Sequence, residues 1–225
     1  MGDHQAPGAT LPGGRTHSTT AVHRMSEARI GRILVASLHQ AIADLLPTRL
    51  DFYEHWLNPR RLRGGTLGLA AMTAVLSFLR GEEGGAYDLV VARAGEYAVD
   101  WSWADIGLLR RWWLMRLPAR WRLRAALRRA CTGIRRAYPG SRAILRRRRG
   151  TTTIEVRGSL FCEVRDPGGR PALCGFYLAL VRGWLTRLRV PADAEIAGCR
   201  ARGARTCRIE VRRTTEPVEP RGGRA

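Results

Sequence analysis

The chain contains no lysine. All 39 basic residues are arginine, and against 19 acidic residues they leave a formal net charge of +20. Such an excess ordinarily raises the question of nucleic acid or another anionic surface. The complete absence of lysine has a simpler source, because a codon bias toward Arg, Ala and Gly produces it without selection for phosphate binding. The charge is therefore discounted as a sign of a nucleic-acid partner.

Other absences narrow the class. Residues 1–25 hold Gly, Pro, Thr and His but lack the apolar centre of a signal peptide. The longest uncharged apolar stretch, residues 66–79, carries Thr73 and Ser77 and falls well short of the ~20 residues of a membrane span. Five cysteines, an odd number without an export signal, argue against a disulfide framework. The expectation is a soluble, cytoplasmic protein with no membrane span. No dinucleotide fingerprint is present: Gly64-Gly65-Thr66-Leu67-Gly68 has the wrong spacing and follows no strand. No Ser/His/Asp set or carboxylate pair stands out, so no catalytic residue is assigned. His4, His17 and His23 lie in the N-terminal arm, and His39 and His55 read as surface or packing residues.

What is present is enough for one domain: 225 residues, 45% hydrophobic and 26% charged. Residues 1–25 and 214–225 lack periodicity and read as disordered, which leaves 26–213 as a single domain. Ile30, Ile33, Leu34, Leu38, Ile42, Leu45 and Leu46 give a helical stripe ended by Pro47. A short segment with Phe52, Tyr53, Trp56 and Leu57 follows. Then comes a helix apolar nearly all round, from Leu67 to Leu79, which predicts a central position. Residues 87–103 read as a hairpin turning at Ala94-Gly95, because Tyr97, Val99, Trp101 and Trp103 alternate with Glu96, Ala98, Asp100 and Ser102. Two arginine-rich helices split by Pro118 follow, then a hairpin around Gly150. A strand-like segment over 159–165, a helix carrying Leu173 to Leu188 and a last hairpin over 193–213 complete the order. The class is α+β, with helices on an antiparallel sheet of hairpins.

The chemistry lies in the cysteines. Cys199 and Cys207 flank the last turn symmetrically about Gly203. If directly opposite in the ladder they share a face, with Cβ atoms ~4.5–5.5 Å apart, close enough to grip one metal. Cys174 opens the preceding helix, where the N-terminal dipole favours a thiolate. These three predict one zinc per chain, with the fourth ligand from Glu195, Cys162 or water. Glu195 shares the parity of Cys199, but four residues of strand span ~13 Å, so it reaches the same ion only through a bend or bulge. Cys131, on the apolar face of a helix, reads as a core residue.

The stretch Leu173-Cys174-Gly175-Phe176-Tyr177, then Gly183-Trp184-Leu185, then residues 199–209 from Cys199 through Gly203 to Cys207, resembles the end of the 4-vinyl-reductase-type domain. The likeness spans residues 30–213 and is specific over 151–213. It implies a small-ligand-binding fold shared with phenol-responsive sensor domains, with dimers formed through N-terminal helices. In those sensors three cysteines and a glutamate hold zinc. Cys174, Cys199 and Cys207 match the cysteines, while the glutamate position is Ile196, with Glu195 one residue off. The resemblance implies a hydrophobic or aromatic small molecule as ligand, with Trp101, Trp103, Phe176 and Tyr177 as pocket residues and Trp112, Trp113 and Trp184 as further stacking surface. It also implies a homodimer through the first long helix, and a protein partner for any signalling role. Two other readings are an accessory protein or reductase of tetrapyrrole synthesis, and an electrostatic nucleic-acid binder using Arg146 to Arg149. No sequence-specific nucleic-acid recognition is expected, since neither a helix-turn-helix nor a finger spacing is present.

Overall fold

The computed structural model describes residues 29–57, 67–148, 151–162 and 172–214. The terminal arms expected to be disordered (apart from Thr214, whose amide donates to the Pro191 carbonyl at 3.0 Å), the turns at Asn58-Pro59 and Asp166-Pro167, and Gly150 lie outside them.

The chain opens with β1 (Arg29–Ile30), α1 (Arg32–Leu45) and α2 (Leu50–Leu57), then β2 (Leu67–Gly68), which pairs with β1, and α3 (Leu69–Glu83). Next come α4 (Ala86–Ala104), α5 (Leu108–Arg116) and α6 (Ala119–Ala137). The remainder is β3 (Arg142–Arg148), β4 (Thr151–Arg157), a 3-10 turn at Leu160–Cys162, α7 (Gly175–Arg187), β5 (Ala192–Gly198), a 3-10 turn at Arg200–Arg202 and β6 (Cys207–Arg213). The class is α+β as expected. The larger sheet is antiparallel in the order β3-β4-β6-β5.

The sheet follows from alternation. Ile154 and Val156 on β4, Cys207, Ile209 and Val211 on β6, and Ala192 and Ala194 on β5 are buried on one face. The ladder pairs Ile154 with Ile209 and Ala194 with Val211. The other face carries charge, with Glu155 held between Arg146 at 2.7 Å and Arg157 at 2.9 Å. Helices α6 and α7 lie against the sheet, α4 lies against α7, and α1 against α4. One core runs from Ile30 to Val211.

Residues 87–103 are a helix, not a hairpin. The local alternation from Tyr97 to Trp103 sits inside a longer helical period: Tyr87, Val90, Val91, Ala94, Gly95, Ala98 and Val99 are the buried positions of α4. Gly95, read as a turn, is a packing residue. A Cβ there would lie 2.6 Å from the Phe176 carbonyl oxygen and 2.8 Å from the Ala179 Cβ, so the missing side chain lets α4 and α7 touch. This inverts the usual preference. In an open helix Gly→Ala stabilises by about 1 kcal/mol, whereas Gly95→Ala is expected to destabilise by about 1–3 kcal/mol through overpacking. Thermal unfolding checks this, and a raised melting temperature would refute it.

Two further expectations change. The helix expected at the centre, α3, leaves Phe78 exposed, while α4 and α7 take the middle. The segment 159–165 read as strand-like is a 3-10 turn as far as Cys162, and residues beyond it lie outside the described set. The Pro118 boundary holds: Leu117 and Pro118 are extended between α5 and α6.

Candidate metal centre

Three separate segments deliver four cysteines to one point. Cys162 ends the 3-10 turn after β4, its amide donating to the Ser159 carbonyl at 3.1 Å. Cys174 is the N-cap of α7, where its carbonyl accepts from the amides of Tyr177 and Leu178. Cys199 and Cys207 stand at the two ends of the β5–β6 connection. The Cys199 carbonyl accepts from the amides of Arg202 and Ala204, and Gly203 turns the chain back at φ 83°, a conformation glycine takes without strain.

The sulfurs lie 3.6 Å apart for Cys162–Cys174, 3.5 Å for Cys162–Cys199 and Cys162–Cys207, and 3.4 Å for Cys174–Cys199. All four are within 4.8 Å of one another. Four sulfurs each ~2.3 Å from a central ion at tetrahedral angles would stand ~3.8 Å apart. A disulfide needs ~2.05 Å, and all four thiols are free and buried. The cluster has the spacing of a tetrahedral thiolate site, and these residues could hold a metal ion.

The electrostatics point the same way. Packed without a cation, the thiols share protons unequally. Hydrogen bonding from Cys174 pulls Cys162 down to about 7. Cys199 is held far down, first by Cys162, then by Cys174 and Cys207, with the Ala201 amide adding a smaller donor. Cys174 is pushed far up, first by its contact with Cys162, and Cys207 likewise. The thiols are hydrogen-bonded to one another, and in each contact either sulfur can be the donor. All four sulfurs could ionise together only if a divalent cation took the place of those shared protons.

The surroundings are built to hold this arrangement. Buried Arg80 donates to the Phe161 carbonyl at 3.0 Å, fixing the residue beside Cys162. The Tyr87 and Tyr177 phenols are buried nearby, and burial raises both and keeps them neutral. Phe161 stacks on Phe176 at 5.2 Å and meets Tyr177 edge-on at 5.2 Å, closing the site with apolar rings.

The expected trio Cys174, Cys199 and Cys207 is together, and Cys162 is the fourth member. Glu195 is exposed on β5 and paired with Arg212 at 2.9 Å, away from the sulfurs. A register irregularity does fall between Ile196 and Gly198, yet it does not bring Glu195 in. Cys199 and Cys207 are not a cross-strand pair: the β5–β6 ladder ends at Gly198–Arg208, and Cys207 faces Val156. Ile196, at the glutamate position of the resemblance, pairs with Ile209. Cys131 is buried on α6 in the core, as expected.

The aromatic residues expected to line a pocket are dispersed. Trp101 stacks on Tyr97 at 5.7 Å and Trp103 meets Trp184 edge-on at 6.2 Å, both from α4 rather than a strand. Phe176 and Tyr177 are core residues beside Phe161. A cleft of about 430 Å³ lies between α4 and α7, open to solvent. Its lining combines small residues such as Ala92, Gly175 and Ala179 with the charged Glu96, Asp100 and Arg187, and includes none of the four expected aromatics.

Compared with known proteins, the chain matches no protein-family model, no curated protein and no solved structure.

Proposed function

We propose that this protein is a small-molecule-binding or sensory protein of the 4-vinyl-reductase type, locked at its C-terminal end by a structural zinc on Cys162, Cys174, Cys199 and Cys207. The observation that carries the reading is the four-sulfur cluster, because it gathers Cys174, Cys199 and Cys207, the three cysteines whose order along the chain carries the resemblance, and adds Cys162 to them. Four buried thiols in tetrahedral spacing select zinc over hard cations such as Mg²⁺ or Ca²⁺, which take oxygen ligands. A full set of protein ligands leaves no open position for water or substrate, the arrangement of a structural rather than a catalytic site. The ion would tie the start of α7 to the β5–β6 connection and to the turn after β4, elements far apart in sequence.

The ligand-binding half of the proposal rests on the resemblance. The cleft between α4 and α7 has the size of a small-molecule site, but its charged lining suits an amphiphile better than a flat hydrocarbon. Native mass spectrometry of protein purified without added metal tests both halves at once. The expected result is one zinc per chain, with any retained organic molecule seen as a further mass. Less than about one zinc for every few chains would refute a constitutive structural site.

A further inference from the structure

Helix α5 faces the wrong way for a core helix. None of its residues is buried. Leu108 is 80% exposed, Leu109 73%, Trp112 50% and Trp113 62%. Their spacing of i, i+1, i+4 and i+5 places them on one stripe, and that stripe is on the solvent side. Leu114, on the opposite side, and Met115, at one edge of the stripe, lean on the core. A single exposed leucine is ordinary, but a contiguous stripe of two leucines and two tryptophans marks an interaction surface.

Along the chain the charge has one sign from Ile106 onward, although Asp105 is exposed just before α5. Arg116 stacks over Trp112 at 4.5 Å, and Arg124 over Trp121, itself exposed in the first turn of α6, at 5.5 Å. Residues 106–154 contain fifteen arginines and no aspartate or glutamate. A bias that writes arginine for lysine has no reason to remove acidic residues, so it does not account for this stretch.

We infer that α5 and the first turn of α6 dock on an anionic lipid bilayer, with α5 lying in the headgroup plane. The chemistry of the face selects this partner. Leucine and tryptophan insert at the headgroup–acyl boundary, tryptophan being the side chain that favours that depth, while arginines around them reach lipid phosphates. A second copy of the chain would bring a like-charged face against this one. Nucleic acid would satisfy the arginines and could stack on the tryptophans, but it offers nothing to Leu108 and Leu109. No described helix is long and apolar enough to cross a membrane, and docking in the headgroup plane requires no span.

The test uses the full chain with vesicles of phosphatidylcholine alone and of phosphatidylcholine mixed with phosphatidylglycerol. The protein is expected to sediment with the anionic vesicles only, with tryptophan emission shifted to the blue and quenched by lipids brominated on their acyl chains. Trp112→Ser combined with Trp113→Ser is expected to weaken partitioning at least about tenfold and to remove most of the quenching. Both residues are exposed, so circular dichroism and melting temperature should hold; Leu109→Glu provides a second variant with the same expected loss. Failure to bind anionic vesicles overturns the inference, as does binding that the double variant and Leu109→Glu both leave intact. Adsorption without quenching, abolished by salt alone, also overturns it. Capture of a single-stranded oligonucleotide without vesicle binding would assign the face to nucleic acid, and a dimer dispersed by the double variant without vesicle binding would assign it to a second copy; either result overturns the lipid assignment.

Discussion

Cys162→Ser is expected to lose most of its bound metal and to melt on the order of 10 °C below the wild type. The ligand set fixes the direction, since the Cys162 sulfur lies within 3.6 Å of each of the other three. Zinc in finger peptides contributes about 10–16 kcal/mol of apparent folding energy. Here α1 to α6 also have a packed core of their own side chains, so the loss is expected to be smaller, several kcal/mol. At this chain length each kcal/mol corresponds to about 2–4 °C. Glu195→Gln and Cys131→Ser are the controls. Glu195 is exposed and paired with Arg212, and Cys131 sits outside the cluster on α6, so both should keep a full equivalent of metal. The pH dependence has a definite sign. Protons compete with the ion for the sulfurs, so stability from the ion is present at neutral and alkaline pH and lost on acidification. Elemental analysis with thermal unfolding checks all three variants. A Cys162→Ser protein with a full metal equivalent and an unchanged melting temperature would refute the four-cysteine site.

Three of these four cysteines were legible from spacing, because each sits at a boundary the sequence marks: a helix start, and the two ends of a glycine turn. The fourth, Cys162, stood as one of three candidates beside Glu195 and water, since residues 159–165 carry no turn signal before Asp166-Pro167 to place it. What bends the chain at Leu160–Cys162 is tertiary. Leu160 and Phe161 are buried, and Arg80, some eighty residues earlier, grips the Phe161 carbonyl. Parity made Glu195 a candidate, but parity assigns a face only along an unbroken ladder, and this one is irregular before Cys199. The β3–β4 and β5–β6 hairpins were readable because their alternation is long and their partners are local in sequence. The misread segment, 87–103, shows the converse. Its alternating half is shorter than two helical turns, and the deciding signal was the period of Tyr87, Val90, Val91 and Ala94 just before it. Helix α5 was legible as a helix, but periodicity cannot say which of two half-apolar sides meets the core, so the outward turn of Trp112 and Trp113 had to come from the structure.

Leu38→Glu is expected to prevent folding rather than to yield a folded monomer. The stripe of α1 suggested two uses, a dimer interface or one chain's own core, which sequence alone cannot separate. In the structure Leu34, Val35, Leu38, Ala41 and Ile42 are fully enclosed within the chain, against α4 among others. A glutamate at 38 gives up the roughly 1.5–3 kcal/mol of a buried leucine. It also brings a carboxyl group into an apolar site, where even the neutral form costs about 1–3 kcal/mol without a hydrogen-bond partner and the charged form more. Together these come to about 2.5–6 kcal/mol with the carboxyl neutral and more with it charged, which reaches the lower end of a typical domain's stability of about 5–15 kcal/mol. Loss of soluble protein, or of cooperative unfolding in what remains, is the expected measurement. The oligomer question therefore moves to the outer side of the helix. Leu45 is 42% exposed at its last turn, and Leu45→Glu should fold with a stability change within about 0.5–1 kcal/mol. If copies of the chain associate through α1, Leu45→Glu is the substitution that should lower the sedimentation coefficient while leaving the melting temperature near wild type. A well-folded Leu38→Glu protein would contradict the packing of α1 against α4, because no rotamer of glutamate reaches solvent from a position enclosed on every side.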